Sequence, residues 1–246
     1  RLTKYLDGTR EAAKRWPRRA FIDPFCGPGR IQVEGENFTR DGGAVLAWRQ
    51  SLLRGAPFSH VLVGDKVDDR VHACSARLQA LGAPVTGFVG PATVTVPQMI
   101  TALPSSTLCT VYLDPYNLEF LSFDIIRRLA VLPTVDFAVH FSVMDLVRNV
   151  EFAFEDNPRF DEAAPGWRQA VDVRQLSKEA ARREFFEYWL KLVAGLGFQF
   201  SKAMPLVKND SKHPIYRLVF FSRHDLPNRI WGDVAKPAGQ GEFNFD

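Results

Sequence analysis

An acidic residue followed at once by a glycine-rich turn is the most distinctive chemical feature of this sequence. The apolar run at residues 20–23 ends in Asp23, and Gly27 and Gly29 flank Pro28 a few residues later. Glycine removes the Cβ atom where a ligand must approach the backbone, and proline keeps the turn stiff. Amide groups in such a turn can face an anionic group. We therefore predict a ligand-binding turn at the end of the first strand.

The glycine spacing argues against a dinucleotide cofactor. A G-x-G-x-x-G pattern that starts at Gly27 would need a third glycine where this chain has Gln32. In addition, Asp23 stands before the glycines. The turn is therefore not predicted to bind NAD.

Two further strand-like segments also end in an acid. The segment "VLVGDK" ends in Asp65, which Lys66 follows. The segment "VYLDPYNLE" supplies a polar group at its end, namely Asp114, Pro115, Tyr116 and Asn117. In an open parallel sheet, ligands bind outside the carboxyl ends of the strands. These residues are therefore predicted to share one site with the glycine turn.

Cysteine and histidine add little to this chemistry. Cys26 lies in the turn, whereas Cys74 and Cys109 fall inside apolar segments, so none is predicted to act as a thiolate nucleophile. The cysteines lack close metal-binding spacing and the histidines are scattered, so no metal site is predicted. Reduced cysteines predict a cytoplasmic protein. His140 has two interpretations: a base near the site, or a core histidine with one hydrogen bond.

The order of elements predicts an α/β fold. Five strands alternate with helices, which requires parallel pairing with right-handed crossovers, and the two C-terminal strands form an antiparallel pair. The prediction is a doubly wound, seven-stranded, mostly parallel sheet in a single domain at residues 1–246. Residues 1–17 are predicted to form an N-terminal helix that Pro17 ends. Residues 145–175, which are polar and contain Pro158 and Pro165, are predicted to form an insertion or lid over the substrate end.

Composition sets broad limits on function. The chain has 246 residues, 46% hydrophobic and 24% charged, as in an ordinary globular domain. A net charge of +3 permits a nucleic-acid partner but falls short of the strongly basic surface that such binding usually needs. No apolar run approaches the roughly 18 residues of a membrane-spanning helix, so no membrane association is predicted.

The motifs together resemble known families. An acid that ends a strand, followed by an aromatic residue and G-x-G, resembles motif I of class I S-adenosylmethionine-dependent methyltransferases. More narrowly, "FIDPFCGPGR", "YLDPYNLE" and "HFSVMDLVRN" resemble the three-Cys-motif partner proteins (TcmP), from about residue 4 to residue 221. This resemblance implies the Rossmann-like fold of class I methyltransferases. It also implies S-adenosyl-L-methionine as the cofactor.

The resemblance implies which residues hold this cofactor. Phe25, Cys26, Gly27, Pro28 and Gly29, with Pro24 before them, would cradle its methionine part. Asp23 would be oriented to its ammonium group, directly or through water. Asp65, with Lys66 beside it, would bind the ribose, because one carboxylate can accept hydrogen bonds from both hydroxyl groups. An insertion at residues 35–43 explains why Asp65 follows the turn at a longer spacing than usual.

The resemblance to amine methyltransferases also implies a catalytic group. In those enzymes an acid or amide and a proline carbonyl accept hydrogen bonds from the amine, while an aromatic ring stacks on the base. Asp114, Pro115, Tyr116 and Asn117 occupy these positions here. This chain has one proline where those enzymes have two, so Tyr116 comes one position early.

Three functions remain open at the level of sequence. The first is methyl transfer to a nucleic-acid base or another nitrogen acceptor. The second is methyl transfer to a protein or a small molecule, which the modest net charge suits. The third is a cofactor-binding but non-catalytic subunit that partners a three-cysteine-motif protein.

Overall fold

The computed structural model describes residues 1–32, 35, 37–149, 158–171, 176–209 and 211–235. Its strands are β1 (Arg19–Asp23), β2 (Arg30–Gln32), β3 (Thr39–Asp41), β4 (His60–Asp65), β5 (Val85–Val89), β6 (Leu108–Leu113), β7 (Val135–Ser142), β8 (Gln199–Phe200), β9 (Leu206–Lys208) and β10 (Pro214–Ser222). Its α-helices are α1 (Leu2–Gly8), α2 (Arg10–Ala13), α3 (Gly43–Leu53), α4 (Asp68–Ala80), α5 (Ala92–Thr101), α6 (Phe123–Leu129), α7 (Val143–Asn149), α8 (Trp167–Ala170), α9 (Lys178–Ala194) and α10 (Asp225–Ala235). Short 3-10 helices cover Leu118–Phe120 and Pro158–Phe160.

The main sheet confirms the predicted fold class. Its strand order is β5-β4-β1-β6-β7-β10-β8, and β9 pairs with β10 as an eighth strand. The pairs among β5, β4, β1, β6 and β7 are parallel, whereas β10 is antiparallel to β7, β8 and β9. The order of strands reverses between β1 and β6, which creates the crevice where doubly wound sheets bind ligands.

Helices cover both faces of this sheet, which explains why β1 is buried along its whole length. One core contains Leu113, Phe137 and Trp189, among others, and packs under α5, α6 and α9. The other contains Phe21 and Trp231 and packs under α1, α3, α4 and α10. The strands are thereby held firmly, so the residues just after their ends occupy fixed positions.

The N-terminal region is helical but is divided. The single helix predicted for residues 1–17 is replaced by α1 and α2, which meet at Thr9. The Thr9 hydroxyl donates a hydrogen bond of 2.9 Å to the carbonyl oxygen of Tyr5, a local contact that competes with helix continuation. Tyr5 fixes α1 to the sheet, because its hydroxyl donates a hydrogen bond of 2.7 Å to buried Asp136.

The predicted surface insertion at residues 35–43 contains β3, the second strand of a small hairpin. β2 and β3 pair antiparallel, with Ile31 opposite Arg40, and residues 33, 34 and 36 lie outside the described residues. The hairpin follows the glycine turn directly. The amide of Gly42 donates a hydrogen bond of 2.9 Å to the carbonyl of Gly29, so the far end of the hairpin returns to the turn.

The described part of residues 145–175 packs onto α9. The rings of Phe160 and Trp167 lie 5.4 Å and 5.2 Å from the ring of Phe185, and all three side chains are fully buried. Residues 150–157 and 172–175 of this segment lie outside the described residues. Among the helices that the structure describes, none has the length and apolarity needed to span a membrane.

Candidate functional site

A large cavity lies at the crevice between β1 and β6. Its volume is about 1050 Å³, at the upper end of the ~300–1,000 Å³ typical of ligand pockets. Eight predicted site residues line it: Pro24, Phe25, Gly27, Asp65, Lys66, Asp114, Pro115 and Tyr116. The remaining predicted residues, Asp23, Cys26, Pro28, Gly29 and Asn117, lie outside this lining. The strand ends therefore come together as parallel pairing requires.

The turn after β1 adopts the backbone shape that its glycines permit. Gly27 and Gly29 have φ values of 53° and 73°, in the left-handed region that disfavours other residues. A Cβ atom at Gly27 would meet nothing within 4 Å, so the backbone there is open to the cavity. A Cβ atom at Gly29 would lie 3.2 Å from the Cα atom of Cys74, so that glycine allows close packing on α4.

Asp23 is buried behind the turn, outside the cavity lining, and stabilises the turn by a hydrogen bond. Its side chain is only 2% exposed, and Oδ1 accepts a hydrogen bond of 3.1 Å from the amide of Phe25. Burial raises the pKa of Asp23 well above its usual value, and the nearby carboxylates of Asp114 and Asp65 add to this rise. The carboxyl group of Asp23 thus lacks a neutralising cation among the described residues.

Cys26 and Pro28 shape the turn rather than face the cavity. The Cys26 amide donates a hydrogen bond of 2.8 Å to the carbonyl of Gly64, and its buried thiol packs next to Cys74. The carbonyl of Pro28 accepts a hydrogen bond of 2.5 Å from Nη1 of Arg77 on α4. These contacts fix both sides of the turn, so its cavity-facing backbone is preorganised.

Asp65 and Lys66 lie at the end of β4, on the same wall. Oδ1 of buried Asp65 accepts a hydrogen bond of 2.9 Å from the amide of Val67, and Oδ2 lies 3.8 Å from Nη1 of Arg70. The Lys66 ammonium lies 4.4 Å from the centre of the Phe120 ring. The Asp65 carboxylate therefore retains acceptor capacity toward the cavity.

The residues after β5 complete this wall. Pro91, Ala92 and Thr93 line the cavity. The preceding residue, Gly90, has a φ of 140°, and its amide donates a hydrogen bond of 3.0 Å to the carbonyl of Asp65. Thr93 supplies a side-chain hydroxyl in this part of the lining.

The residues after β6 have different environments. The side chain of Asp114 is 42% exposed and faces the cavity, while Pro115 is buried beside it. Tyr116 is 92% exposed. The side-chain oxygen of Asn117 accepts a hydrogen bond of 3.3 Å from the amide of Phe120 and so begins the 3-10 helix. Asn117 thus has a structural contact, whereas the exposed parts of the Asp114 and Tyr116 side chains can meet a ligand.

His140 joins the site through Asp114. Its Nδ1 atom lies 2.7 Å from Oδ1 of Asp114, and its Nε2 atom lies 3.0 Å from the hydroxyl of Tyr112. The ring of Tyr216 stacks on His140 at 4.2 Å between ring centres, with an angle of 11° between the planes. Of the two interpretations of His140, the structure places it at the cavity in contact with a site residue.

Tyr112 and Tyr216 were not predicted from the sequence. Burial raises the pKa of Tyr112 well above its usual value, with a further contribution from Asp114, so its hydroxyl stays protonated. Burial also raises the pKa of Tyr216. The period-two pattern of β6 places Tyr112 on the same side as Asp114, a signal that could have identified it. No comparable local signal links Tyr216 to His140, because β10 and β7 are far apart in sequence.

The described residues contain no group of three or more histidine, cysteine or acidic side chains arranged to hold a metal ion. All three cysteines have free thiols. The groups that line the cavity include carboxylates, aromatic rings, the His140 imidazole, the Lys66 ammonium, the Thr93 hydroxyl and the backbone of the turn.

Comparison with known proteins gives relatives in fold alone. No protein-family model and no curated protein sequence matches this chain. Among solved structures, an O-methyltransferase from Bacillus cereus, in complex with S-adenosylhomocysteine, has a TM-score of 0.52 at 8% identity. The match covers 89% of this chain and 79% of that one.

Two further solved structures are similar. The O-methyltransferase TomG from Streptomyces achromogenes, in complex with S-adenosylmethionine, has a TM-score of 0.47 at 13% identity, covering 89% of this chain and 78% of its own. A putative S-adenosylmethionine-dependent methyltransferase from Listeria monocytogenes has a TM-score of 0.44 at 11% identity, and the match covers 88% of this chain and 98% of that one. The similarity to the Bacillus cereus structure supports a methyltransferase-like fold for this chain. The narrower resemblance to three-Cys-motif partner proteins stays a prediction.

Proposed function

We propose that this chain binds S-adenosyl-L-methionine and transfers its methyl group to a nitrogen acceptor such as a nucleic-acid base. The observation that carries the proposal is the meeting of Gly27, Asp65 and Asp114 around one cavity at the point where the strand order reverses. The sheet shared with an O-methyltransferase solved with S-adenosylhomocysteine supports this choice of cofactor.

The residues present fit the proposed cofactor. The open backbone at Gly27, between Phe25 and Pro28, leaves room for the methionine part. The unneutralised carboxyl group of Asp23 below the turn favours the approach of an ammonium group. Asp65 would accept hydrogen bonds from the ribose hydroxyls, with Lys66 beside it. Cys26 and Gly29 would act by shaping the turn.

The residues after β6 would bind the acceptor. The bound cofactor supplies a methyl group already activated on a sulfonium, so the protein contributes mainly orientation. Asp114 and the carbonyl of Pro115 would accept hydrogen bonds from the amino group. Tyr116, which is 92% exposed, would be available to stack on a base. Asn117 would hold this loop in shape through its contact with Phe120.

We further propose that residues 1–246 act as one methyltransferase domain in which the segment 145–175 covers the acceptor end. Glu162, from the described part of that segment, lines the cavity and accepts a hydrogen bond of 3.3 Å from the hydroxyl of Ser122. Met144, at the start of α7, lines it as well. This arrangement would limit access of water to the acceptor.

The test combines cofactor binding with labelling. The purified protein would be titrated with S-adenosylhomocysteine in a calorimeter and then incubated with tritiated cofactor and separate pools of tRNA, rRNA, DNA, protein and small amines. We expect binding, label in one pool, and loss of that label without loss of binding in Asp114→Ala. Absence of binding would contradict the proposal. Binding without label in any pool would instead support a non-catalytic partner of a three-cysteine-motif protein.

A further inference from the structure

Asp114, His140 and Tyr112 form a closed group of three polar side chains at the cavity wall. His140 Nδ1 lies 2.7 Å from Asp114 Oδ1, His140 Nε2 lies 3.0 Å from Tyr112 Oη, and Tyr112 Oη lies 3.3 Å from Asp114 Oδ2. Tyr216 covers one face of the imidazole by stacking. The His140 side chain is 13% exposed, whereas that of Asp114 is 42% exposed. Asp114 is therefore the member that a ligand reaches.

The donors and acceptors in this group can be assigned from their chemistry. An ionised carboxylate only accepts hydrogen bonds, so the proton of neutral His140 lies on Nδ1 and points to Asp114 Oδ1. The lone pair on Nε2 then accepts a hydrogen bond from the Tyr112 hydroxyl. In this state Asp114 Oδ2 is left for a ligand in the cavity.

The same three side chains can hold one additional proton without losing a hydrogen bond. If Nε2 becomes protonated, it donates to Tyr112 Oη, and the Tyr112 hydroxyl turns to donate to Asp114 Oδ2. The imidazolium then lies against a carboxylate, which stabilises its charge. Because burial keeps the pKa of Tyr112 high, Tyr112 passes a proton on and does not retain a negative charge.

We propose that Asp114, His140 and Tyr112 form a relay that takes up the proton released by the acceptor nitrogen; this inference rests on the proposed methyl transfer. The acceptor nitrogen forms a bond to the methyl carbon as the carbon–sulfur bond breaks, and that electron pair stays on the sulfur. The N–H proton moves to Asp114 Oδ2 and on to Tyr112 Oη, whose own proton moves to His140 Nε2. Asp114 is again a carboxylate at the end, and His140 is an imidazolium.

The relay narrows the class of acceptor. An amino group carries a proton that must leave after methylation, so it needs a group that accepts the proton. A ring nitrogen without hydrogen has no such proton. We therefore infer that the acceptor presents an N–H group to Asp114. In this arrangement Asp114 is a catalytic residue, whereas His140 and Tyr112 are positioning residues that act through it.

The first test observes the tautomer of His140, which does not depend on activity. Long-range proton–nitrogen spectra of ¹⁵N-histidine-labelled protein would be recorded, with His140→Gln used to assign the resonance. We expect the Nδ1–H tautomer in the wild type and the Nε2–H tautomer in Asp114→Ala. His72, which is 76% exposed, is the internal control and should be the same in both proteins. The Nε2–H tautomer in the wild type would overturn the inference.

The second test separates turnover from cofactor binding. With the acceptor pool that takes label, His140→Gln and Tyr112→Phe should lower kcat on the order of 100-fold. Their affinity for S-adenosylhomocysteine should stay within about twofold, and His72→Gln should match the wild type in both measurements. If the wild type labels the acceptor and His140→Gln labels it equally well, the relay is overturned and the proposed function is not. If the wild type labels no acceptor pool, the proposed function is overturned, and the relay that rests on it is overturned as well.

Discussion

The amide of Cys26 donates a hydrogen bond of 2.8 Å to the carbonyl oxygen of Gly64. This bond joins the turn after β1 to the last residues of β4, so Gly27 and Asp65 keep a fixed separation across the cavity wall. A ligand that contacts both residues therefore meets a site that needs little reordering, which favours affinity. Substitutions on this wall should consequently weaken ligand binding.

Gly27→Val should weaken the binding of S-adenosylhomocysteine by at least about tenfold, because the new side chain would project into the open space above the turn. A valine at φ 53° should also cost roughly 1–2 kcal/mol of folding free energy. Calorimetric titration and thermal unfolding measure the two effects. Gly82→Val is the matched control, since Gly82 has a φ of 74°, equally open surroundings and a position outside the cavity lining. Equal ligand affinity in the two variants would refute the assignment of the turn.

Asp65→Asn should weaken the same ligand by about tenfold or more. The amide oxygen can still accept the hydrogen bond from Val67, so the local turn should survive, whereas a charged acceptor for the ribose is lost. Hydrogen bonds to charged groups contribute ~1.5–3 kcal/mol, and ~1.4 kcal/mol corresponds to tenfold in affinity. Asp68→Asn, at an exposed position on α4, is the control and should bind like the wild type. Affinity of Asp65→Asn within twofold of the wild type would contradict a role in ribose binding.

Asp23→Asn should stabilise the ligand-free protein at neutral pH, by on the order of 1 kcal/mol. The asparagine oxygen can accept the hydrogen bond from Phe25, and the cost of burying a carboxylate is removed. The same variant should bind S-adenosylhomocysteine less tightly, because the ammonium group loses a nearby carboxyl group that can ionise. Urea unfolding and calorimetric titration test the two parts.

The effect of Asp23 on stability should depend on pH in one direction. Burial raises its pKa in the folded protein above the ~3.9 of an unfolded aspartate, so the folded state holds the proton more tightly. The wild type therefore loses stability relative to Asp23→Asn as the pH rises from about 4 through the raised pKa. Urea midpoints measured from acidic to alkaline pH should show the gap widening and then becoming constant. A gap that narrows with rising pH would be incompatible with a raised pKa.

Tyr5→Phe should destabilise the protein by about 1–3 kcal/mol, because it removes a buried hydrogen bond and leaves Asp136 with one partner fewer. The phenylalanine ring keeps the contacts with Phe220 and Trp231, so the loss measures the hydroxyl alone. Tyr188→Phe serves as the control, since the Tyr188 hydroxyl donates a hydrogen bond of 2.7 Å to the carbonyl of Pro165 at the surface. Chemical denaturation should show less than about 0.5 kcal/mol for that control. Similar losses in both variants would argue against Tyr5 as the anchor of α1.

The sequence by itself determined the fold class and the positions of the acids at strand ends. Asp23, Asp65 and Asp114 each follow a short apolar run, and alternation of such runs with helices leaves parallel pairing as the simple solution. Both signals are local, so they can be read without knowing which strands are neighbours. The ligand-binding turn at Gly27 and Gly29 was predicted for the same reason, whereas its left-handed φ values are known only from the structure.

Only the tertiary structure decided which of these side chains face the cavity and what they meet there. The sequence predicts Asp23 and Asn117 as ligand contacts. In the structure Asp23 is buried behind the turn, and Asn117 caps a 3-10 helix. His140 meets Asp114 and Tyr216 because β7 lies between β6 and β10 in the sheet. That order is set by burial of both faces of the whole sheet, a long-range effect that no local spacing of residues records.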